Sequence, residues 1–327
     1  SCAKALVAWH EYASEAAAAS DAAPDCERLI VVTPGPTVES VAPGESFAAL
    51  MAEASDVCDM AQTNPDDTAV VLYTAAANDR MCGAELTHCN LYHNALSSAH
   101  FALQYGPEDV CLTVLPLYHG FGQTTMLNAP LMAGSTVVLL DHFDPHQVFE
   151  VIARERVTLL AMVPAMFQIM LMFKPDTAPD LSTVRAATSG GAALAPKTGR
   201  GFEERFGVPV LEGYGLTELS PVVSFNSVAT NRYGTIGKPM WGCRVAIMRG
   251  DGEFAALGEE GEIVVRGHNV MKGYLHQPEA TTQAMRGGWF HTRDKGCLDA
   301  DGYLHITGLL KDIIITSGLN VAPWEVE

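Results

Sequence analysis

At 327 residues and 48% hydrophobic, the chain holds enough apolar material for one large core or two, which excludes a disordered protein. Its formal net charge of −18, from 38 acidic against 20 scattered basic residues, excludes a nucleic-acid partner, because no basic run exists to neutralise phosphates. The eight cysteines include no Cys-x-x-Cys pair and no metal-like Cys/His spacing, so they read as thiols of a reducing compartment and place the protein in the cytoplasm.

In chain order, residues 1–20 alternate alanines with Lys4, His10 and Glu11, lack the apolar core of a secretory signal, and read as a helix. Residues 28–32 read as a strand, 47–54 as a short helix and 69–73 as a strand. A helix over 88–104, strands over 110–115 and 135–140, and a helix over 145–156 continue the alternation. The apolar stretch 157–173 contains Pro164 and Gln168 and falls short of the roughly 20 apolar residues a bilayer needs. It reads instead as a buried strand over 157–163 and a helix opening at Pro164, where a proline is tolerated in the first turn. A strand over 184–187 and a helical run ending at Phe206 follow. Strand and helix in alternation imply an α/β fold with parallel sheets covered by helices. After Asn231 the texture changes to short strands between Gly and Pro turns, as in Gly261-Glu262-Ile263-Val264-Val265-Arg266-Gly267, and predicts a small β-barrel or distorted sheet.

Three segments carry chemistry. Leu211-Glu212-Gly213-Tyr214-Gly215-Leu216-Thr217-Glu218 places two glycines, an aromatic, a hydroxyl and a carboxylate in one turn after an apolar strand. Glycines let a ligand approach the backbone, a tyrosine can lie against a planar base, a threonine can donate to phosphate and a glutamate can hold a hard cation. Read alone, the octapeptide also fits a strand-ending turn with an incidental acid. Upstream, Thr188-Ser189-Gly190-Gly191-Ala192 is a second glycine-rich turn between strand and helix. Downstream, Gly287-Gly288-Trp289-Phe290-His291-Thr292-Arg293-Asp294-Lys295-Gly296 precedes Asp299-Ala300-Asp301-Gly302-Tyr303 and Gly308-Leu309-Leu310-Lys311-Asp312.

In this order and at these intervals, the segments resemble the adenylate-forming superfamily of acyl-CoA synthetases, peptide-synthetase adenylation domains and luciferases, and within it bacterial long-chain fatty acid–CoA ligases. The resemblance covers about residues 66–327 and includes Val222-Val223-Ser224-Phe225-Asn226, Gly267-His268-Asn269-Val270-Met271-Lys272-Gly273-Tyr274 and the run from Asn320 to Glu327. It implies a large domain of two α/β subdomains plus a small β-barrel, and then a C-terminal lid joined at a hinge at Lys311-Asp312. Residues 1–308 would be the AMP-binding core, lacking its first part, and 309–327 the hinge and the start of a truncated lid.

The implied chemistry has two halves: a long-chain fatty acid's carboxylate attacks the α-phosphate of ATP, giving acyl-adenylate and pyrophosphate, and the thiol of CoA then displaces AMP. By resemblance, Gly190, Gly191 and Ala192 flank the adenine with Glu212, Gly213 and Tyr214. Thr217 contacts the α-phosphate, Glu218 holds Mg²⁺ and Asp294 accepts both ribose hydroxyls, while Thr74, Gly215 and Lys311 complete the cofactor-binding set. His119, in Leu115-Pro116-Leu117-Tyr118-His119-Gly120-Phe121-Gly122, resembles the aromatic gate beside the acid, although a histidine among glycines also serves as a satisfied structural residue. Partners are then fatty acid, ATP and CoA, with no transmembrane segment and room for a peripheral membrane contact.

Three positions depart from the pattern. Where the family's phosphate loop reads Ser-Gly-Thr-Thr-Gly-x-Pro-Lys-Gly, this chain has Ala75-Ala76-Ala77-Asn78-Asp79-Arg80-Met81-Cys82-Gly83, without hydroxyls and with Cys82 in place of the lysine. Leu309 stands where the family has a ribose-binding arginine, and Arg293 where it has the glycine before the ribose aspartate, a substitution expected to tilt Asp294. Each lost charge-assisted contact costs about 1.5–3 kcal/mol. Three readings follow: an acid–CoA ligase, a degenerate relative that binds AMP, acyl-adenylate or fatty acid without catalysis, and an adenylation module that loads a carrier protein.

Overall fold

Residues 2–35, 43–76, 80–174, 179–310, 314–316 and 319–321 are described in the computed structural model. The chain divides into two units, Ser1–Thr63 and Asn64–Glu327. In the first, strands β1 (Ala5–Trp9), β2 (Arg28–Val32) and β3 (Glu45–Ser46) form a parallel sheet in the order β1-β2-β3. The helix expected over residues 1–20 is therefore a strand followed by a helix confined to Ala13–Ala22. Pairing of Leu6 and Val7 with Leu29 and Ile30 overrides the helical preference of the surrounding alanines. Helix Phe47–Glu53 opens on Ser46, whose hydroxyl accepts from the Ala49 amide.

The second unit begins with a long hairpin, β4 (Thr68–Ala76) and β5 (Arg80–Thr87). Its central sheet has seven strands, and the parallel ones are β6 (Val110–Thr113), β7 (Thr136–Leu139), β8 (Leu159–Met162), β9 (Ala186–Ser189) and β10 (Val210–Gly215). The antiparallel pair β11 (Val222–Phe225) and β12 (Lys238–Pro239) completes it, in the order β12-β11-β10-β9-β8-β6-β7. Every residue of β8 and β9 is buried, as expected of strands covered on both faces.

The covering helices have identifiable ends. Asp144 caps Pro145–Glu155 by accepting from the Gln147 amide, and Arg156 closes it in the left-handed conformation. Pro164–Met172 and Pro196–Phe206 each carry proline in the first turn, and Gly207 ends the second at φ +72°. Phe167 and Phe202, both fully buried, meet edge to face at 5.0 Å between these two helices. Helix His88–Ser97 starts in a capping box between Thr87 and Asn90, and the run expected to 104 widens into a π-helix at Ser98–Ala102.

Beyond residue 231 the chain forms β13 (Cys243–Met248), β14 (Gly261–Gly267), β15 (Gly273–Tyr274), β16 (Met285–Arg286), β17 (Trp289–Leu298) and β18 (Leu304–Leu309). β13-β14-β17-β16, with β18 on β17, is a five-stranded antiparallel sheet whose register shifts at Glu262/Val264 and Lys295/Gly296. This is the distorted sheet expected there, a half-barrel bent at its bulges. β15 instead pairs with β5. No helix among the described residues is long and apolar enough to cross a membrane, and all eight cysteines are free thiols. Lys311, Asp312, Ala77, Asn78 and Asp79 lie outside the described residues.

Candidate functional site

The parallel strands β6, β8, β9 and β10 end on one edge of the central sheet, where open α/β folds bind ligands. β9 runs into Gly190-Gly191-Ala192, β10 into Leu216-Thr217-Glu218, and β6 leads to His119. Three contacts tie these segments together. A Cβ at Gly190 would lie 3.1 Å from the Phe121 ring, so a side chain here would need that ring to give way by a few tenths of an ångström. The Phe121 amide donates to His119 Nδ1 at 3.2 Å, which fixes the imidazole on the same turn. Thr124 Oγ1 donates to the Ser220 carbonyl at 3.0 Å, joining the histidine segment to the turn after β10. Burial lowers the His119 pKa, so the ring is neutral at neutral pH. With Nδ1 accepting, its proton sits on Nε2 as a donor.

The second wall comes from β17. Tyr214, on β10, donates its hydroxyl to Asp294 Oδ2 at 2.6 Å, and both side chains are buried. Burial and then the Asp294 charge push the Tyr214 hydroxyl well above its usual pKa, so it stays protonated and acts as a donor. Glu218 is also buried, and its Oε1 accepts from the Tyr274 hydroxyl at 2.8 Å while its carbonyl accepts from the Met271 amide at 2.8 Å. Tyr274, to which the sequence assigned no role, thereby fixes the Glu218 carboxylate. Its one local signal is an aromatic closing the glycine-flanked run from Gly267 to Tyr274.

Glu212 has a task of its own. Its Oε1 accepts from the Leu194 amide at 2.8 Å, holding the turn after β9, and its carbonyl accepts from the Asn226 amide and side chain. Burial lifts its pKa from 4.5 to about 7. A carboxyl with a raised folded-state pKa stays protonated in the native protein after the unfolded chain has ionised. Stability therefore falls as pH rises from about 4.5 to 7, by about 3 kcal/mol in all. Glu212→Gln keeps the acceptor without the charge. It should match the wild type in urea unfolding at pH 5 and exceed it by about 2 kcal/mol at pH 8. A difference that does not change with pH would refute the assignment.

The glycines of the Tyr214 turn answer to packing as well as to a ligand. A Cβ at Gly213 would overlap the Phe225 ring and one at Gly215 the Pro221 carbonyl, so both are required by the close approach of β11. Gly191 is exposed at φ +80°, a left-handed position open to glycine. Ala192 and Thr217 are half-buried at the rim.

The β4-β5 hairpin carries the segment that the resemblance makes a phosphate loop. Its ladder continues through Thr74↔Cys82, Ala75↔Met81 and Ala76↔Arg80, which commits backbone amides that an anion-binding loop would offer. Thr74 is half-buried in this ladder. At the lysine position, the buried Cys82 thiol lies 2.9 Å from Gln277 Oε1, and burial raises its pKa, so it carries no charge. Among the described residues no cluster of three metal-ligating side chains exists, and Glu218 presents a buried carboxylate, the oxygen donor type that a hard cation such as Mg²⁺ takes.

Arg293 has φ +58°, with its amide donating to Glu262 Oε1 at 2.9 Å and its carbonyl accepting from the Leu310 amide at 2.8 Å. Beside it Asp294 accepts from Tyr214 at 2.6 Å while Arg293 takes the left-handed backbone. Asp294 pairs in register with the half-exposed Leu309.

A family model described as AMP-binding enzyme matches residues 1–275. The feruloyl-CoA synthase of an Amycolatopsis species is 37% identical over 264 residues, covering 80% of this chain and 53% of that protein. The long-chain-fatty-acid–CoA ligase of Bacillus subtilis is 36% identical over 289 residues, covering 86% and 51%. The chain thus spans about half the length of these curated relatives. The crystal structure of ATP-bound MatB from Rhodopseudomonas palustris superposes with a TM-score of 0.85 at 31% identity, over 100% of this chain and 63% of that one.

Proposed function

The chain belongs to the AMP-binding enzyme family of adenylate-forming CoA ligases, and on that premise we propose that it carries the nucleotide- and acid-binding core of an AMP-forming ligase for long-chain fatty acids. The observation that carries this reading is the Tyr214–Asp294 hydrogen bond, which sets a buried carboxylate at the hydroxyl of an aromatic ring on the last part of β10. That pairing suits a nucleoside: the ring lies against the base and the carboxylate accepts from ribose hydroxyls.

Chemistry follows from position. The acid's carboxylate oxygen attacks the α-phosphorus, the bond to the pyrophosphate oxygen breaks, and the CoA thiol later displaces AMP from the acyl carbon. Thr217 donates to the α-phosphate, and His119 offers its Nε2 proton at the acid. Glu218, oriented by Tyr274, would hold Mg²⁺, which neutralises phosphate oxygen charge when bound. Lys311, assigned to the same site, lies outside the described residues. CoA is the co-substrate, and eight free thiols fit a cytoplasmic protein.

A second reading is favoured by the uncharged Cys82 at the phosphate hairpin: the chain binds AMP or an acyl-adenylate and turns ATP over weakly or not at all. Both readings share the nucleoside and acid subsites.

The acid is tested by calorimetry with dodecanoate and benzoate. An acid subsite between His119, Gly191 and Gly215 with an apolar lining should favour dodecanoate by about tenfold or more, since two further buried methylenes at about 0.8 kcal/mol each suffice. Tighter binding of benzoate would overturn the long-chain assignment.

A further inference from the structure

We propose that the exposed face of the five-stranded antiparallel sheet binds an oligophosphate, two or more linked phosphate groups, through Arg244, Arg266 and Arg286 beside Trp289. Three observations carry it.

The first is register. Arg244 on β13 stands directly opposite Arg266 on β14. Val265 pairs with Phe290 and both are buried, so the next residues, Arg266 and Trp289, emerge together on the other face. Trp289 in turn stands opposite Arg286 on β16. One row across the sheet therefore reads Arg244, Arg266, Trp289, Arg286, and its three arginines are exposed. It joins segments far apart in the chain, so no basic run announces it in the sequence.

The second is charge left without a partner. Like charges directly opposite one another destabilise a sheet, and Arg244 and Arg266 make no hydrogen bond or ion pair among the described residues. Arg286 comes only within 4.0 Å of Glu262, a carboxylate that already accepts the Arg293 amide at 2.9 Å and lies 2.7 Å from His291 Nδ1. Acids are not scarce in a chain with 38 of them against 20 basic residues. Elsewhere arginines sit against carboxylates, Arg28 on Glu45 and Arg232 on Asp299 and Asp301 among them. Two arginines left facing each other in so acidic a chain mark a place for an anion.

The third is room. Gly287 and Gly288 join β16 to β17, both at positive φ. A Cβ at Gly288 would lie 3.9 Å from Arg266 Nη1, so this guanidinium lies alongside the turn that carries Arg286 and Trp289. A Cβ at Gly287 would meet nothing within 4 Å, which leaves bare backbone and open space between the arginines. Phe254 meets the Trp289 ring edge-on at 5.6 Å and closes the flank. Guanidinium forks donate in pairs to phosphate oxygens, and charge on both sides of the turn suits an anion longer than one phosphate. Free pyrophosphate and the diphosphate of CoA both offer that chemistry.

Arg244→Gln and Arg266→Gln test this. Metal-free pyrophosphate, CoA and AMP are titrated by calorimetry into each variant and the wild type, with thermal melts in parallel. Each variant should bind pyrophosphate about tenfold more weakly than the wild type and AMP within twofold of it. Melting temperatures without ligand should not fall, because one of two opposed like charges has gone, and pyrophosphate should raise that of the wild type more than those of the variants. CoA weakened in parallel with pyrophosphate supports the site with the diphosphate of CoA as its ligand. CoA affinity that does not change supports it with a free oligophosphate. A wild type that binds no pyrophosphate, a variant that binds it undiminished, or equal losses for pyrophosphate and AMP would overturn the assignment and leave the nucleoside site in place. Displacement of pyrophosphate by equimolar sulfate would overturn it too, since diffuse surface charge predicts that result.

Discussion

Asp294→Asn should weaken AMP binding about a hundredfold and leave the fold intact. The carboxylate is buried and already accepts from Tyr214 at 2.6 Å, so its orientation is set before any ligand arrives. An asparagine can still accept the tyrosine proton through its amide oxygen, which protects the core. It loses the negative charge that makes the bonds to two ribose hydroxyls strong. Charged hydrogen bonds are worth about 1.5–3 kcal/mol each, and a net loss of about 2.7 kcal/mol corresponds to two decades. Calorimetric titration of AMP, with thermal melts as the folding control, measures it. AMP affinity within threefold of the wild type would remove Asp294 from the site.

The other large effect belongs to the β4-β5 hairpin. Replacing residues 75–82 with a Ser-Gly-Thr-Thr-Gly-x-Pro-Lys pattern should create a preference for ATP over AMP of about a hundredfold. Two changes act together. Glycines and a proline interrupt the ladder that now runs to Ala76↔Arg80 and release amides for phosphate oxygens. Hydroxyls and the lysine add donors and a cation where Cys82 is a neutral thiol held by Gln277. AMP affinity should stay near that of the unmodified chain, because Tyr214 and Asp294 are untouched, and this constancy is the evidence that the repaired protein is folded. A repaired chain that binds AMP normally and still fails to prefer ATP would show that the hairpin does not face the phosphates.

Local periodicity made much of this fold legible, and distance along the chain hid the rest. Strand β2 falls at its expected bounds, and the helix starts at Pro145 and Pro164 are where proline geometry puts them. These features depend on neighbours a few residues away. Strand β1 was misread as helix because its stability comes from pairing with residues some 23 positions later, which alanine content does not register. The glycines of the Tyr214 turn were legible as a site, yet the packing of Phe225 and Pro221 that requires them was not. The same holds for Tyr274 on Glu218 and for Gln277 on Cys82, contacts across 56 and 195 residues. The left-handed backbone of Arg293 was foreshadowed by the glycine that the family resemblance implies there.

The central claim is that the nucleoside half of the site is built and the pyrophosphate half is not. Equilibrium titration of the unmodified chain with AMP and with ATP, each in the presence of Mg²⁺, tests it most directly. Affinities within about threefold of each other are the predicted result, since a hairpin with a neutral thiol at its lysine position gains little from two further phosphates. ATP favoured by tenfold or more, about 1.4 kcal/mol, would contradict it.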